Sequence, residues 1–223
     1  MILGCSISSL QRMALWLKPQ QRLKCRICLN VGLTLSLILI DLVMKYNDIM
    51  PECYIDSTLV KSLLDAEVNH KHSCTEVSRE MEKGHYKDAF AVGIIDNDKR
   101  KLSYIENDFI KIGQTDNLTF LKHKDKQHYV IKVGKEHKAM ETFIKANVEA
   151  IGMKMEDFNL PSDLDDLIEQ TKDSITTQKD PRILKLCKTM RQSPEVAILQ
   201  EVLAYLAKNK YNSDVEVIKR MIG

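Results

Sequence analysis

The sequence predicts an α/β fold in which a small, mostly parallel β-sheet is flanked by helices and followed by a C-terminal helical subdomain. Three observations lead to this prediction. From Met50 onward, short apolar runs alternate with stretches of helical periodicity. The run Ala89–Ile95 is apolar on both faces, as expected of a central parallel strand that is covered on both sides. From Pro161 to the end of the chain, the pattern is helical only.

The composition is that of a globular protein with a sizeable core. Of 223 residues, 44% are hydrophobic and 29% are charged, and there are only 8 Gly and 5 Pro. These values argue against low-complexity disorder and against a turn-dense sandwich or barrel. Six Cys are too few for a disulfide-stapled scaffold. We divide the chain into an N-terminal extension (1–49), an α/β domain (50–158) and a helical subdomain (159–223).

The charges are unevenly distributed along the chain. Residues 1–44 carry five basic side chains and one acidic side chain, and the remainder carries 28 basic and 30 acidic residues. The main body therefore has no net basic field, and its charge does not imply broad electrostatic capture of nucleic acid. Near-equal numbers of basic and acidic residues are still compatible with a local basic groove.

The first 43 residues differ in pattern from the rest. A basic stretch, Lys18–Arg26, precedes the apolar run Ile27–Ile40. This run is shorter than the ~20 residues of a membrane span and fits a signal-like segment better, yet no small-residue cleavage site follows it. Three interpretations stay open: a weak membrane anchor, a signal-like segment, or an extension upstream of a start at Met44. We favour the last, which implies a cytoplasmic protein, whereas an anchor implies membrane contact.

Short sequence patterns predict the elements in the first half of the α/β domain. The apolar run Cys53–Ile55 predicts the first strand, and Asp56–Thr58 supplies oxygens that can cap the helix predicted over Leu59–Leu64. The polar segment Asn69–Ser73 predicts a loop, and Thr75–Lys83 predicts a second helix. The central strand predicted over residues 89–95 follows.

The second half continues with two strands and then helices. Leu118–Leu121 and Tyr129–Val133 predict strands, and Glu136–Ile151 predicts an amphipathic helix. The apolar face of Val196–Leu206 either packs in the core, which is the commoner use, or contacts a protein partner or a second copy of the chain. The tail predicts helices around Leu164–Ile168, Ile183–Leu186, Val196–Leu206 and Val215–Ile222.

Carboxylates follow two of the predicted strands. Asp56 follows the first strand, and Asp96 and Asp98 follow the central one. Ligands of open α/β sheets bind beyond the carboxyl ends of the strands, and residues two apart on a strand point the same way. A hard divalent cation such as Mg²⁺ would relieve the repulsion between these acids, orient a phosphate and activate water. A turn in which the aspartates bond the local backbone is the competing interpretation.

These two segments, Tyr54–Ser57 and Val92–Asp98, resemble the acidic motifs of the Toprim-type catalytic fold. That Rossmann-like fold occurs in topoisomerases, primases, OLD-family nucleases and related small bacterial proteins. The resemblance covers roughly residues 50–150, and the two aspartates of the second motif match well. At the first motif the family normally has Glu followed by Gly, where this chain has Asp56 and Ser57. Glu52, just upstream, would share the orientation of Asp56 only in a regular strand.

The resemblance implies nuclease-like phosphoryl transfer on nucleic acid that depends on Mg²⁺ or Mn²⁺. Asp96 and Asp98 would hold the metal, Asp56 would act as base or third ligand, and Glu141 would supply a further acid from the downstream helix. Three basic side chains lie where they could contact a phosphate: Lys99, Arg100 and His70. The alternative is a catalytically inactive interaction or regulatory protein of a bacterial operon system on the same fold.

Other catalytic classes lack their motifs in this sequence. It contains no Walker A loop, no Gly-x-Gly-x-x-Gly, no Gly-x-Ser-x-Gly and no His-Glu-x-x-His. Hydrolysis of nucleotides at a Walker site and serine-hydrolase chemistry are therefore disfavoured.

Overall fold

The computed structural model of the protein describes residues 44–97, 101–135, 139–171 and 176–223. The segment with Ile27–Ile40, and with it the anchor, signal and extension interpretations, lies outside these residues. So do Asp98, Lys99 and Arg100. Within the described ranges, no helix is both long enough and apolar enough to cross a membrane.

Strands and short helices are interleaved in the first part of the described chain, and the last part is helical. In chain order, the strands are β1 (Met44–Tyr46), β2 (Ile49–Pro51), β3 (Ala66–Val68), β4 (Ala91–Asp96), β5 (Phe109–Gln114), β6 (Leu118–His123) and β7 (His128–Val133). The helices are α1 (Tyr54–Leu64), α2 (Cys74–Glu82), α3 (Ser103–Asp108), α4 (Ala139–Ala150), α5 (Leu164–Thr171), α6 (Pro181–Met190), α7 (Pro194–Asn209) and α8 (Val215–Ile222). Short 3₁₀ turns cover Met155–Phe158, Thr177–Lys179 and Lys210–Asn212.

The main sheet is mixed. Its strand order is β2–β4–β7–β6–β5, and β2, β4 and β7 run parallel. The pairs β7–β6 and β6–β5 are antiparallel. The prediction of an α/β fold is confirmed, but a mostly parallel sheet is wrong for its second half. The reason is that residues 115–117 and 124–127 are tight turns, which can join only antiparallel neighbours.

The first parallel strand of the main sheet differs from the predicted one. It is β2, which ends at Pro51, whereas Cys53 is the N-cap residue of α1 and Tyr54 and Ile55 lie in its first turn. The Asp56 carboxylate accepts a hydrogen bond from the Cys53 backbone N–H at 3.2 Å, as the acid of a capping box does. Asp56 therefore belongs to the start of a helix, and its predicted place at a strand end is wrong.

Several short elements escaped prediction. The strands β1 and β3 have three residues each and form a separate parallel pair. In β5, Ile110 and Lys111 are both exposed and the register shifts between Lys111 and Gly113, so the strand lacks regular alternation. The six-residue helix α3 is too short to show a helical period.

The predicted domain boundary after residue 49 falls inside β2.

The central strand and the tail helices agree with the prediction. The strand β4 lies between β2 and β7, and its residues 91–95 are buried. The tail helices share one hydrophobic core with the sheet, in which Leu186, Leu203 and Ile218 join Val92 and Ile131. The apolar face of α7 is thus used for packing within the chain.

Helix α2 packs very closely on β4, the strand that carries Asp96. The contact is made at Gly93, where an added Cβ would lie 2.7 Å from Val77 Cγ1 and 3.2 Å from Met81 Sδ. Glycine is required here by the approach of the helix, because the backbone conformation itself is that of an ordinary strand.

We expect the Gly93→Ala substitution to lower the free energy of unfolding by about 1–3 kcal/mol, because the methyl group overpacks a filled core. Urea unfolding followed by circular dichroism measures the change. The double variant Gly93→Ala/Val77→Ala restores space, so its loss should be smaller than the sum of the two single losses. Strictly additive losses would show that the two residues are not in contact.

Candidate functional site

Two acidic residues lie at the carboxyl ends of adjacent parallel strands. Glu52 follows β2, and its backbone N–H donates to the Ile94 carbonyl oxygen of β4 at 3.0 Å. Asp96 is the last residue of β4. The Glu52 Oε2 accepts a hydrogen bond from the Asp96 backbone N–H at 3.1 Å, so the Glu52 carboxylate is directed at the end of the neighbouring strand. In open α/β sheets this edge is where ligands bind.

Asp56 adds a third carboxylate from the first turn of α1. It is fully buried, and its Oδ2 accepts the Cys53 backbone N–H. Its Oδ1 is also buried and has no hydrogen-bond partner within the part of the chain that the structure describes. A buried carboxylate oxygen without a donor is unfavourable, and such an oxygen is a point at which a cation or water would be stabilised.

Glu141 brings a fourth carboxylate to the same region. It lies in the first turn of α4 and is buried. Burial, followed by the charge of Glu52 and more weakly by that of Glu141, raises the pKa of Asp56 to about 7. The predicted residues Asp56, Asp96 and Glu141 are therefore brought to one region, together with Glu52.

The thiol of Cys53 sits among these acids. Burial raises the pKa of Cys53 well above its usual value, and the charges of Asp56 and Asp96 raise it further. The thiol therefore stays protonated at neutral pH and is a poor nucleophile.

His70 lies on the loop after β3, beside the start of α1. Its Nδ1 is 2.9 Å from the Ser57 hydroxyl, and its ring stacks on Tyr54 with the centroids 4.3 Å apart. Burial, and then the charge of His72, lowers the pKa of His70. A neutral imidazole can contact a phosphate only as a hydrogen-bond donor, and the predicted phosphate contact stays a prediction.

The second half of the acidic motif lies outside the described residues. Asp98, Lys99 and Arg100 follow the end of β4, and the structure gives them no place relative to the site. Their predicted roles as a metal ligand and as phosphate contacts stay predictions.

Glu52 is the site residue whose role the sequence analysis did not assign. The acid at the end of the first parallel strand is Glu52, whereas the strand boundaries expected from the sequence give that role to Asp56. The usable signal is the run Ile49–Pro51, which is apolar and ends directly before Glu52. This signal is weak because Cys53–Ile55, the start of a buried helix, is equally apolar.

The donor set fits a hard divalent cation. Among the described side chains, no group of three or more His, Cys, Asp and Glu residues is arranged as a ready-made metal site. Mg²⁺ does not require one, because it keeps several waters and is usually bound through one or two carboxylates. Glu52 and Asp96 offer that pair, and the charge of Glu52 also reaches the buried carboxylate of Asp56.

Comparisons with known proteins found no match to a family model, to a curated protein or to a solved structure. The interpretation of the site therefore depends on its residues and geometry.

The Asp56→Asn substitution tests the electrostatics of the cluster. Because the pKa of Asp56 is raised on folding, the folded protein binds more protons than the unfolded chain between about pH 4 and pH 7, and stability falls as pH rises through this window. Asn removes the charge and keeps an acceptor for Cys53. Without divalent metal we expect Asp56→Asn to be more stable than wild type by about 1–3 kcal/mol at pH 8, and by much less at pH 5.

Urea unfolding in EDTA at the two pH values measures this difference. Asp116→Asn, which removes a charge from an exposed turn, is the matched control and should change stability little at either pH. An equal loss of stability in Asp56→Asn at both pH values would mean that the ionised carboxylate is well satisfied in the fold.

Proposed function

We propose that this protein is a Mg²⁺- or Mn²⁺-dependent phosphodiesterase that cleaves nucleic acid and has a Toprim-like α/β domain. The observation that carries the proposal is the hydrogen bond from the Asp96 backbone N–H to Glu52 Oε2. It places the Glu52 carboxylate beside the Asp96 backbone at the carboxyl ends of adjacent parallel strands, and a cation bound at this edge would be within reach of both residues.

The observed start of α1 supports the Toprim resemblance. With β2 ending at Pro51, the acid after the first parallel strand is Glu52, the residue type that the family normally has there. Cys53 then stands where the family has Gly. The second motif keeps its place, because Asp96 ends the central parallel strand and Asp98 follows two residues later.

The proposed roles follow from position and charge. Glu52 and Asp96 would hold the cation, with Asp98 as a further ligand. The chemistry that a bound ion would supply there is polarisation of a phosphoryl oxygen and a lower pKa for an attacking water. Asp56 Oδ1 would accept a proton from an attacking water, and a pKa near 7 suits Asp56 to exchange protons at neutral pH. Glu141 acts on Asp56 through its charge.

A catalytically inactive interaction or regulatory protein is the second candidate. The observation that favours it is Cys53, whose side chain occupies space beside the acids where the family has Gly. On this proposal the fold and the cation site persist, and cleavage does not.

We expect Asp96→Asn and Glu52→Gln each to reduce cleavage by about 100-fold or more, since loss of even an outer partner of a metal site costs 10- to 100-fold. Labelled single-stranded DNA, double-stranded DNA and RNA, each with Mg²⁺, Mn²⁺ or EDTA, provide the assay. Glu149→Gln removes an exposed acid from the same helix as Glu141 and should cleave like wild type.

Two outcomes separate the candidates. Equal cleavage by wild type and Asp96→Asn would contradict the proposed enzyme. Binding of Mn²⁺ that is lost in Asp96→Asn, with no cleavage of any substrate, would favour the interaction protein.

A further inference from the structure

A cavity lies along α1, away from the acidic cluster. It has a volume of about 370 Å³ and is formed between α1, β3 and the segment 178–188 of the tail. Three lysines line it, Lys61, Lys179 and Lys188, together with one carboxylate, Glu67. Its walls therefore carry an excess of two positive charges.

The charge that is available to a ligand comes from two of these lysines. Lys61 Nζ is 2.6 Å from Glu67 Oε2 and 3.0 Å from Gln178 Oε1, so its charge is already paired. Lys179 and Lys188 are exposed, and their ammonium groups make no ion pair or hydrogen bond to any described residue. They form a cationic edge to the cavity.

Ser62 gives an independent indication of a ligand. It lines the same cavity and is only 9% exposed, and its Oγ is buried without a hydrogen-bond partner among the described residues. Helical Ser and Thr commonly bond the carbonyl four residues back, as Thr58 does by donating to the Tyr54 oxygen at 2.8 Å. The Ser62 hydroxyl makes no such bond, and an unsatisfied buried hydroxyl is unfavourable.

We propose that this cavity binds a phosphate group. Two unpaired ammonium groups match its charge, and the Ser62 hydroxyl and the Gln178 amide supply neutral hydrogen-bond donors from two walls. The volume is larger than a lone phosphate needs and falls in the range of small-molecule sites. The group therefore belongs to a phosphorylated small molecule or to one nucleotide of a strand.

The cavity is chemically separate from the acidic cluster. Lys61 and Ser62 lie five and six residues after Asp56, which is about 8 Å along the helix axis. Phosphate binding here needs no divalent cation, so it can be measured independently of the proposed cleavage.

The test compares two charge reversals in EDTA. Lys188→Glu changes the cavity, and Lys208→Glu changes an exposed lysine of α7 that has no hydrogen bond or ion pair to a described side chain. We expect Lys188→Glu to weaken the binding of inorganic phosphate, measured by isothermal titration calorimetry, by about tenfold. Lys208→Glu should bind phosphate like wild type. Ser62→Ala should fold normally and weaken phosphate binding several-fold.

A short single-stranded oligonucleotide, measured by fluorescence anisotropy, identifies the source of the phosphate. If Lys188→Glu binds the oligonucleotide more weakly and its binding depends less on salt, a nucleic-acid strand that runs along α1 is supported. Unchanged oligonucleotide binding with weaker phosphate binding supports a small phosphorylated ligand. Equal phosphate binding by the two reversal variants, or none by wild type, would overturn the proposal. Asp96→Asn should keep phosphate binding, so failure of cleavage and failure of this site are distinguishable.

Discussion

Repulsion among clustered carboxylates, two of them buried, is the constraint on which the candidate site depends. The fold brings Glu52, Asp56, Asp96 and Glu141 to one end of the parallel strands, and the charges of Glu52 and Glu141 act on buried Asp56. In water such groups would separate. Here they are held by backbone, because the Asp96 N–H donates to Glu52 and the Cys53 N–H donates to Asp56. A structure that keeps acids together at this cost is explained if a cation offsets the repulsion.

The elements that carry these acids are densely packed. The strand β4 is buried between two parallel neighbours, and α2 approaches it so closely that residue 93 has no room for a side chain. The helix α1 starts two residues after Glu52, and Asp56 caps its first turn. Each of these acids is thus positioned by a strand end or a helix start, and not by a long loop.

Elements with long sequence patterns could be predicted, whereas elements with short patterns could not. The central strand and the amphipathic helices were predictable because their patterns extend over many residues. The strand β2 was not, because three apolar residues before Glu52 look no different from the buried helical turn after it. For the same reason Asp96 could be assigned to its strand end, whereas the roles of Asp56 and Glu52 depended on a boundary that local sequence does not define. The phosphate cavity joins Lys61 to Gln178, which lie 117 residues apart, and no local pattern indicates it.

The most direct measurement is the anomalous diffraction of crystals soaked in Mn²⁺. We expect an anomalous peak about 2.1 Å from carboxylate oxygens of Glu52 and Asp96, with waters completing the coordination. Crystals that show no peak at this sheet edge, with the same carboxylates neutralised by lysine or arginine side chains, would contradict the proposed cation site.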